Sequence, residues 1–395
     1  MTRHAIVAGG GIGGLTAAAA LHRNGWTVTL YERAASLDPV GSALAIGPNG
    51  LRALDTLGAG DAVRDLAAFQ GSGGLRRAGG AWLSRTSAEA AAARYGDPVL
   101  VLKRSTLVGI LADRLPPGTV HLGVTVTSVA PDGTVTTPAG TEHADLVVAA
   151  DGIASPTRAA LFPGHPGTRY SGLTAWRFLT TAGPAGTGPS ETWGRGLVFG
   201  VMPMAGGVIY CYATAPAPEN TRENTRENTR EAGTEHAALR RLFGTWHDPI
   251  PALLSAAAGG PVLRNDIAFM DHPLPAYHRG RVALLGDAAH PMTPNLGQGA
   301  CQALEDAVVL AHEVTAGGGL PAYTAARRPR TTEVMQRSHR IGRLTALNGH
   351  ATVAARDAAL WLSGRLGPTA LLRQADSLYR WRPPLPDAPH AGRAS

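Results

Sequence analysis

The sequence predicts an α/β protein: a Rossmann-like dinucleotide-binding domain with an inserted, mostly antiparallel β-sheet domain and a C-terminal helical segment. Three observations carry that prediction. The first 32 residues read strand, glycine-rich turn, helix, strand. Two later apolar runs, 145–150 and 281–286, end in Asp-Gly and Gly-Asp, as buried parallel strands do where they open onto a crevice. Between about residues 172 and 270 the texture changes to strand-like stretches broken by Gly/Pro turns, with a denser share of the aromatic residues.

Each element follows from local pattern. The apolar run His4–Ala8 ends in glycines, residues 15–24 have an alanine-rich helical composition stopped by Gly25, and 26–31 alternates like a strand. Residues 47–58 start on Pro and Asn and end on glycine, as a short helix does, and 105–115 forms another. Strands are expected over 120–129 and, after the turn Pro131-Asp132-Gly133, over Thr134–Thr137. In the second lobe 174–181, 197–202 and 207–214 are strand-like, and 299–315 returns to a strong helix. The implied division is 1–75, 101–171 and 273–340 for the nucleotide-binding domain, 76–100 and 172–272 for the β-sheet domain, and 341–395 for a C-terminal helix and tail.

Composition excludes several classes. The 50 glycines and 29 prolines fall short of low complexity, and 44% hydrophobic content is enough to bury a core. The net charge of +7 comes from 36 basic residues of which only Lys103 is lysine. So strong a choice of arginine reads as coding bias, and the basic residues are scattered, so no nucleic acid is expected as a partner. Cys211 and Cys301 lie far apart with no CxxC, which excludes a disulfide framework or a cysteine metal site and fits the cytoplasm; no metal is expected. No run approaches the 18 or so apolar residues of a membrane span, and no secretory signal precedes the first glycines. The tetrapeptide ENTR, repeated three times over 219–230, has no apolar residue and is expected to be an expanded surface loop or solvated helix.

The glycine fingerprint Gly9-x-Gly11-x-x-Gly14 sits between strand and helix, and Glu32 follows 18 residues after Gly14. The first glycine makes a tight turn, the second admits a pyrophosphate to the backbone, and the third lets helix and strand pack closely. The helix N-terminus presents free N–H groups and its positive dipole end to the phosphates. Glu32 is placed to accept hydrogen bonds from a ribose diol. NAD and FAD both satisfy this motif. The segments Asp151-Gly152 through Ser155 and Arg158, and Gly286-Asp287, add polar groups at two further strand ends, and Asp287 suits hydroxyls between the phosphates and a second ring.

With these three motifs in this order, residues 4–345 resemble the single-component FAD-dependent aromatic hydroxylases of the para-hydroxybenzoate hydroxylase fold. The run GDAAHPMTPNLGQGACQALEDA over 286–307 is most similar to the branch holding zeaxanthin epoxidase, salicylate hydroxylase and urate hydroxylase. The resemblance implies FAD held by Gly9, Gly11, Ile12, Gly13, Gly14, Glu32 and Arg33, with Arg104 reaching the pyrophosphate and Val126 meeting the adenine through its backbone. It implies Asp287 on the ribityl chain and pyrophosphate, backbone N–H groups of Gly297, Gln298, Gly299 and Ala300 against the N1–C2=O edge of the flavin, and residues 41–47, with Ala45, flanking the ring. A helix N-terminus there would stabilise the charge of reduced flavin. Asp151 and Arg158 are implied to be as much structural as ligand-touching.

The implied activity is that of a monooxygenase. NADPH or NADH reduces FAD, O₂ adds at flavin C4a, and one oxygen of that hydroperoxide passes to an aromatic or alkene substrate by hydroxylation or epoxidation. Trp176, Phe178, Met202, Met204, Tyr210 and Tyr212 are the expected substrate-lining residues, with Tyr210 or Tyr212 suited to orient a phenol; no catalytic side chain is singled out. Residues 196–203 are apolar where urate-specific relatives carry an arginine, which favours a larger, less polar aromatic or terpenoid substrate of secondary-metabolite biosynthesis. A salicylate-like catabolic hydroxylase and a flavin-binding protein without turnover remain alternatives. A halogenase is disfavoured by the single lysine and the missing WxW, and a disulfide reductase by the missing cysteine pair. A monomer or homodimer is expected. His290 and Cys301 are read as packing residues.

Overall fold

The computed structural model describes residues 2–37, 42–66, 72–181, 183–184, 186–219 and 232–384. Gly41 and all but the first residue of the ENTR repeat lie outside the described residues.

The apolar strands of the sequence assemble into a six-stranded sheet in the order His278–Arg279, Val282–Leu284, Leu146–Ala149, His4–Ala8, Thr27–Glu32, Val120–Leu122. All neighbours pair in parallel except the outermost pair. Ile6, Val7, Val147, Val148 and Leu284 are fully buried, as the continuous apolar runs of a doubly covered parallel sheet require. Helix Ile12–Arg23 packs between helices Arg104–Ala112 and Gly299–Ala316 over one face. The strand expected over 120–129 is broken. Gly123 turns at φ +72°, and Val124 N–H donates to Glu32 O, so Val126 sits between the strands Val120–Leu122 and Ser128–Val129.

The second sheet has seven strands in the order Leu263–Phe269, Arg169–Thr180, Ile209–Pro216, Val198–Pro203, Ser190–Trp193, Ser72–Arg77, Trp82–Ser87. Only the pairing of Ser190–Trp193 with Ser72–Arg77 is parallel. Strand Ser72–Arg77 straddles the 75/76 division, so the second sheet draws in residues assigned from sequence to the first domain. Helices Ala232–Phe243 and Ile250–Ala256 cover one face of this sheet, where Phe178, Phe199 and Phe243 stack edge to face. A two-stranded ribbon, Ala43–Ile46 with Leu100–Lys103, lies against the other face.

Helix Gly319–Thr345 crosses the expected 340/341 division and carries Pro329 inside it, which hid it from pattern reasoning. Among the described residues no helix is long and apolar enough to cross a membrane.

Candidate active site

A cleft of about 560 Å³ runs along the carboxyl ends of the parallel strands and reaches the edge of the second sheet. Gly10, Gly11, Ile12, Gly13, Glu32, Arg104, Gly152, Asp287, Gly299 and Ala300 line it at one end, and Arg177, Leu263 and Asn265 at the other. The glycines of the fingerprint divide by task. A Cβ on Gly14 would stand 1.9 Å from Gly9 O, and one on Gly13 2.5 Å from Leu285 Cδ2, so these glycines let the helix press on the sheet. Gly9, at φ +111°, makes the turn. At Gly11 the nearest atom to a Cβ is the Arg104 guanidinium at 3.9 Å, and at Gly299 nothing lies within 4 Å. Those two positions leave backbone open to the cleft at the start of two helices, Ile12–Arg23 and Gly299–Ala316.

Glu32 braces the loop: its Oε2 accepts from Gly10 N at 2.6 Å and its Oε1 from Ala34 N at 2.8 Å. Glu32 also lines the cleft. Asp287 opens onto the cleft, yet the surrounding protein pushes its carboxyl pKa up, against the opposing pull of His290, Arg104 and Arg158. Arg158 is buried; it donates to the carbonyls of Asp287 (3.2 Å), Ala288 (3.1 Å) and Ile153 (2.6 Å). It therefore ties the Asp-Gly strand end to the Gly-Asp strand end. Asp151 Oδ2 accepts from Thr157 N.

Beneath the Gly-Asp turn lies a buried polar network that sequence reasoning missed. Asp306 Oδ2 accepts from Gly286 N (3.0 Å) and meets His290 Nε2 at 2.5 Å, while its Oδ1 accepts from Arg327 at 2.7 Å. These charges hold the Asp306 carboxyl down at about 2 despite its burial. Arg327 also donates to Glu305 and Gln302, and Asn49 bridges Glu305 to Gln298. The only sequence cue was a run of polar residues, Gln302, Glu305 and Asp306, on an otherwise apolar helix. His290 is thus a partner within the network. Cys301 packs against Ala45 O and Gly47 N, and burial raises its thiol to about 12.

The Gln298 side chain is buried and turns its amide inward to Asn49 and Gln302, which leaves the backbone N–H role expected of it untouched. Arg33 is exposed next to Glu32, and the Val126 side chain packs beside the main core. Ala45 and Gly297 sit together just behind the lining, with the Gly297 Cβ position 3.7 Å from Ala45. Gly9 and Gly14 serve the turn and packing behind the lining of the cleft.

The second sheet corrects Trp176 and Phe178. Trp176 pairs with Ala213 and Phe178 with Cys211, so both share the face covered by the helices, where Trp176 Nε1 donates to Glu235 at 2.6 Å. Tyr210, Tyr212 and Met202 point the other way, toward Ala43, Ala45 and Val101 of the ribbon, together with Met204 and Leu179. Register aligns a polar row on this face: Arg177 opposite Tyr212, Tyr212 opposite Gly200, Gly200 opposite Glu191. Arg177, next to Trp176 and therefore on the opposite face, lines the cleft and donates to Asn265 Oδ1 at 3.2 Å.

A family model described as FAD binding domain matches residues 2–249 and 260–338. The chain belongs to that FAD-binding family. It is 38% identical over 353 residues to the aurachin C monooxygenase/isomerase of Stigmatella aurantiaca, covering 86% of this chain and 88% of that protein. It is 34% identical over 321 residues to a FAD-dependent urate hydroxylase of Klebsiella pneumoniae (78% and 80% covered). With a 3-amino-4-hydroxybenzoate 2-monooxygenase of Streptomyces platensis it shares 35% over 387 residues (93% and 94%). Klebsiella pneumoniae HpxO complexed with FAD and uric acid superposes with a TM-score of 0.84 at 29% identity, covering 95% of this chain and 97% of that one. This FAD-dependent monooxygenase thus has the fold of the single-component hydroxylases, with NAD(P)H and O₂ as its co-substrates.

Proposed function

We propose that this monooxygenase places one oxygen atom of O₂ on an aromatic, largely apolar substrate held at the end of the cleft by Arg177 and Leu44, beside the face of the second sheet that carries Tyr210 and Tyr212. The observation that carries this reading is the composition of that face: Met202, Met204, Leu179, Tyr210 and Tyr212 opposite Ala43, Ala45 and Val101. Apolar surface with two phenols suits a ring with few polar groups better than a small polar anion. The kinship with aurachin C and aminohydroxybenzoate monooxygenases supports a place in secondary-metabolite biosynthesis. Two buried, unpaired cysteines suit a reducing compartment such as the cytoplasm.

On this reading Gly11 admits the FAD pyrophosphate to the start of helix Ile12–Arg23, and Arg104 supplies the countercharge. Glu32 takes the adenosine ribose and Asp287 the ribityl hydroxyls. Gly299 and Ala300, at the start of helix Gly299–Ala316, face the pyrimidine edge of the flavin. FAD, when bound, supplies the redox chemistry that takes electrons from NAD(P)H and activates O₂. The protein's part is to orient the ring and to keep water from the reacting atoms, which the methionine and alanine surfaces do. The test is a panel of aromatic compounds incubated with the FAD-loaded enzyme, NADPH or NADH, and O₂. Faster NAD(P)H oxidation with a product one oxygen heavier by mass spectrometry is expected. Oxidation that never yields oxygenated product across the panel overturns the reading.

A further inference from the structure

The turn that leads into helix Gly299–Ala316 reads Gly297-Gln298-Gly299, and Gln298 carries its only side chain. Gly297 is left-handed at φ +61°, and a Cβ on Gly299 would meet nothing within 4 Å. Flanking glycines leave the backbone free to rotate. Gly299 and Ala300 line the cleft, so the direction of their N–H groups depends on what holds Gln298. That side chain is only 2% exposed, and its Oε1 accepts from Asn49 Nδ2 at 3.0 Å and from Gln302 Nε2 at 3.2 Å.

The polarity of this anchor is set from its far side. The fully buried Glu305 carboxylate accepts from Arg327 and twice from Arg330, both on helix Gly319–Thr345. It also accepts from Asn49 Nδ2 at 2.7 Å and from Gln302 Nε2 at 3.2 Å. A carboxylate held by two guanidinium groups offers only acceptors, so both amides must turn their NH₂ groups toward it. The second hydrogen of each NH₂ is then left for Gln298 Oε1. Gln302 Oε1 meanwhile accepts from Arg327 at 2.8 Å, which rules out the flipped amide. Asn49 belongs to helix Pro48–Asp55, which follows the ribbon strand Ala43–Ile46, and Ala43 and Leu44 of that strand line the cleft. The anchor thus ties the glycine turn to two walls of the site.

We propose that the Gln298 side chain, held by Asn49 and Gln302, is a positioning group that fixes the N–H groups of Gly299 and Ala300 toward the flavin and so favours reduced over oxidised FAD. The proposal rests on the functional reading above, in which this helix start faces the pyrimidine edge of the ring. Reduced flavin carries negative charge there, and oxidised flavin is neutral. An N–H group bonds a charged acceptor roughly twice as strongly as a neutral one, and the positive end of a helix acts on charge. Donors that swing out of line therefore weaken the anion more than the neutral ring, and the difference appears in the flavin potential.

The test uses the FAD-loaded enzyme without substrate. Gln298→Met keeps the side-chain length and removes the acceptor, while Asn49 and Gln302 keep their bonds to Glu305; Asn49→Leu keeps the shape and removes the donor. Equilibrium reduction against a reference dye gives the midpoint potential, and a fluorescence titration gives the affinity for oxidised FAD. Gln298→Met is expected to bind oxidised FAD within about threefold of wild type. Its ratio of reduced to oxidised affinity should fall at least fivefold, a potential lower by about 20 mV for a two-electron couple. Asn49→Leu, where it folds, should move the potential the same way. Tyr277→Phe deletes a buried hydrogen bond to Thr331 away from the turn, and should lower the melting temperature with the potential unchanged. In the cofactor-free protein, amide hydrogen exchange over 297–300 should be faster in Gln298→Met than in wild type. A smaller change of potential in Gln298→Met, a shift of the opposite sign in Asn49→Leu, an equal shift in Tyr277→Phe or unchanged exchange overturns the proposal. Failure of Gln298→Met to fold overturns it too, because the anchor then serves the fold alone. Wild-type protein that holds no FAD counts against the parent reading, and the exchange arm still tests the anchor.

Discussion

The Arg158 guanidinium donates to the main-chain oxygen of Asp287 at 3.2 Å, joining two strand ends that are 129 residues apart in the chain. A second bond to Ala288 O at 3.1 Å and a third to Ile153 O complete the cross-tie. Arg158 is only 6% exposed, so its loss leaves three carbonyls facing a gap. Arg158→Met should lower the stability of the cofactor-free protein by about 2–4 kcal/mol, because each orphaned buried acceptor costs roughly 1–3 kcal/mol and neighbouring losses overlap. Urea unfolding checks this, and flavin occupancy on purification should fall with it.

Asp287 itself meets solvent in the cleft and takes no part in the core. Asp287→Ala should therefore leave the cofactor-free melting temperature nearly unchanged while weakening FAD retention at least tenfold, about 1.4 kcal/mol. Flavin absorbance after gel filtration reads the outcome, and full retention would remove Asp287 from the cofactor site.

The glycines permit a paired experiment. Gly14→Ala drives a methyl to 1.9 Å from Gly9 O, a backbone atom that cannot yield. A loss of about 3 kcal/mol or failure to accumulate folded protein is expected. Gly299→Ala meets nothing within 4 Å. It should fold normally and show its effect only in flavin binding or spectrum. Thermal melts with and without added FAD separate the two.

The buried pair Asp306 and Arg327 makes stability depend on pH in a defined direction. Asp306 titrates at about 2 in the folded protein, below the ordinary carboxylate value near 4 of an unfolded chain. Its contribution is present in full above about pH 4 and is lost as pH falls through 2, amounting to about 2 kcal/mol. Urea midpoints measured from pH 5 to 2.5 should fall less steeply in Asp306→Asn than in wild type. Arg327→Met, which removes the cation shared by Glu305 and Asp306 and leaves them Arg330 and His290, should cost about 3 kcal/mol at pH 7.

The two faces of the second sheet predict different phenotypes for two aromatic residues close to each other in space. Trp176→Phe deletes the donor to buried Glu235 and should lower the melting temperature while leaving substrate binding alone. Tyr212→Phe should do the reverse. Melting curves and flavin-spectrum titrations on the same preparations decide it.

Much of the cofactor end was legible along the chain, because its parts are local. A glycine turn at Gly9–Gly14, an acid at Glu32 and a Gly-Asp at the end of a buried strand each need only a few consecutive residues, and the backbone dictates their spacing. The Rossmann-like sheet follows from the same apolar runs. What the tertiary structure decided depends on register and on long-range pairing. Alternation puts Tyr210 and Tyr212 on one face but leaves open which; their packing against Ala43 and Val101, with Trp176 and Phe178 among the helices on the other side, decides it. The Gln298 side chain accepts from Asn49, 249 residues away, a pairing no local motif expresses. The Glu191–Tyr212 bond exists because Gly200 on an intervening strand has no side chain, a condition that no stretch of contiguous sequence expresses.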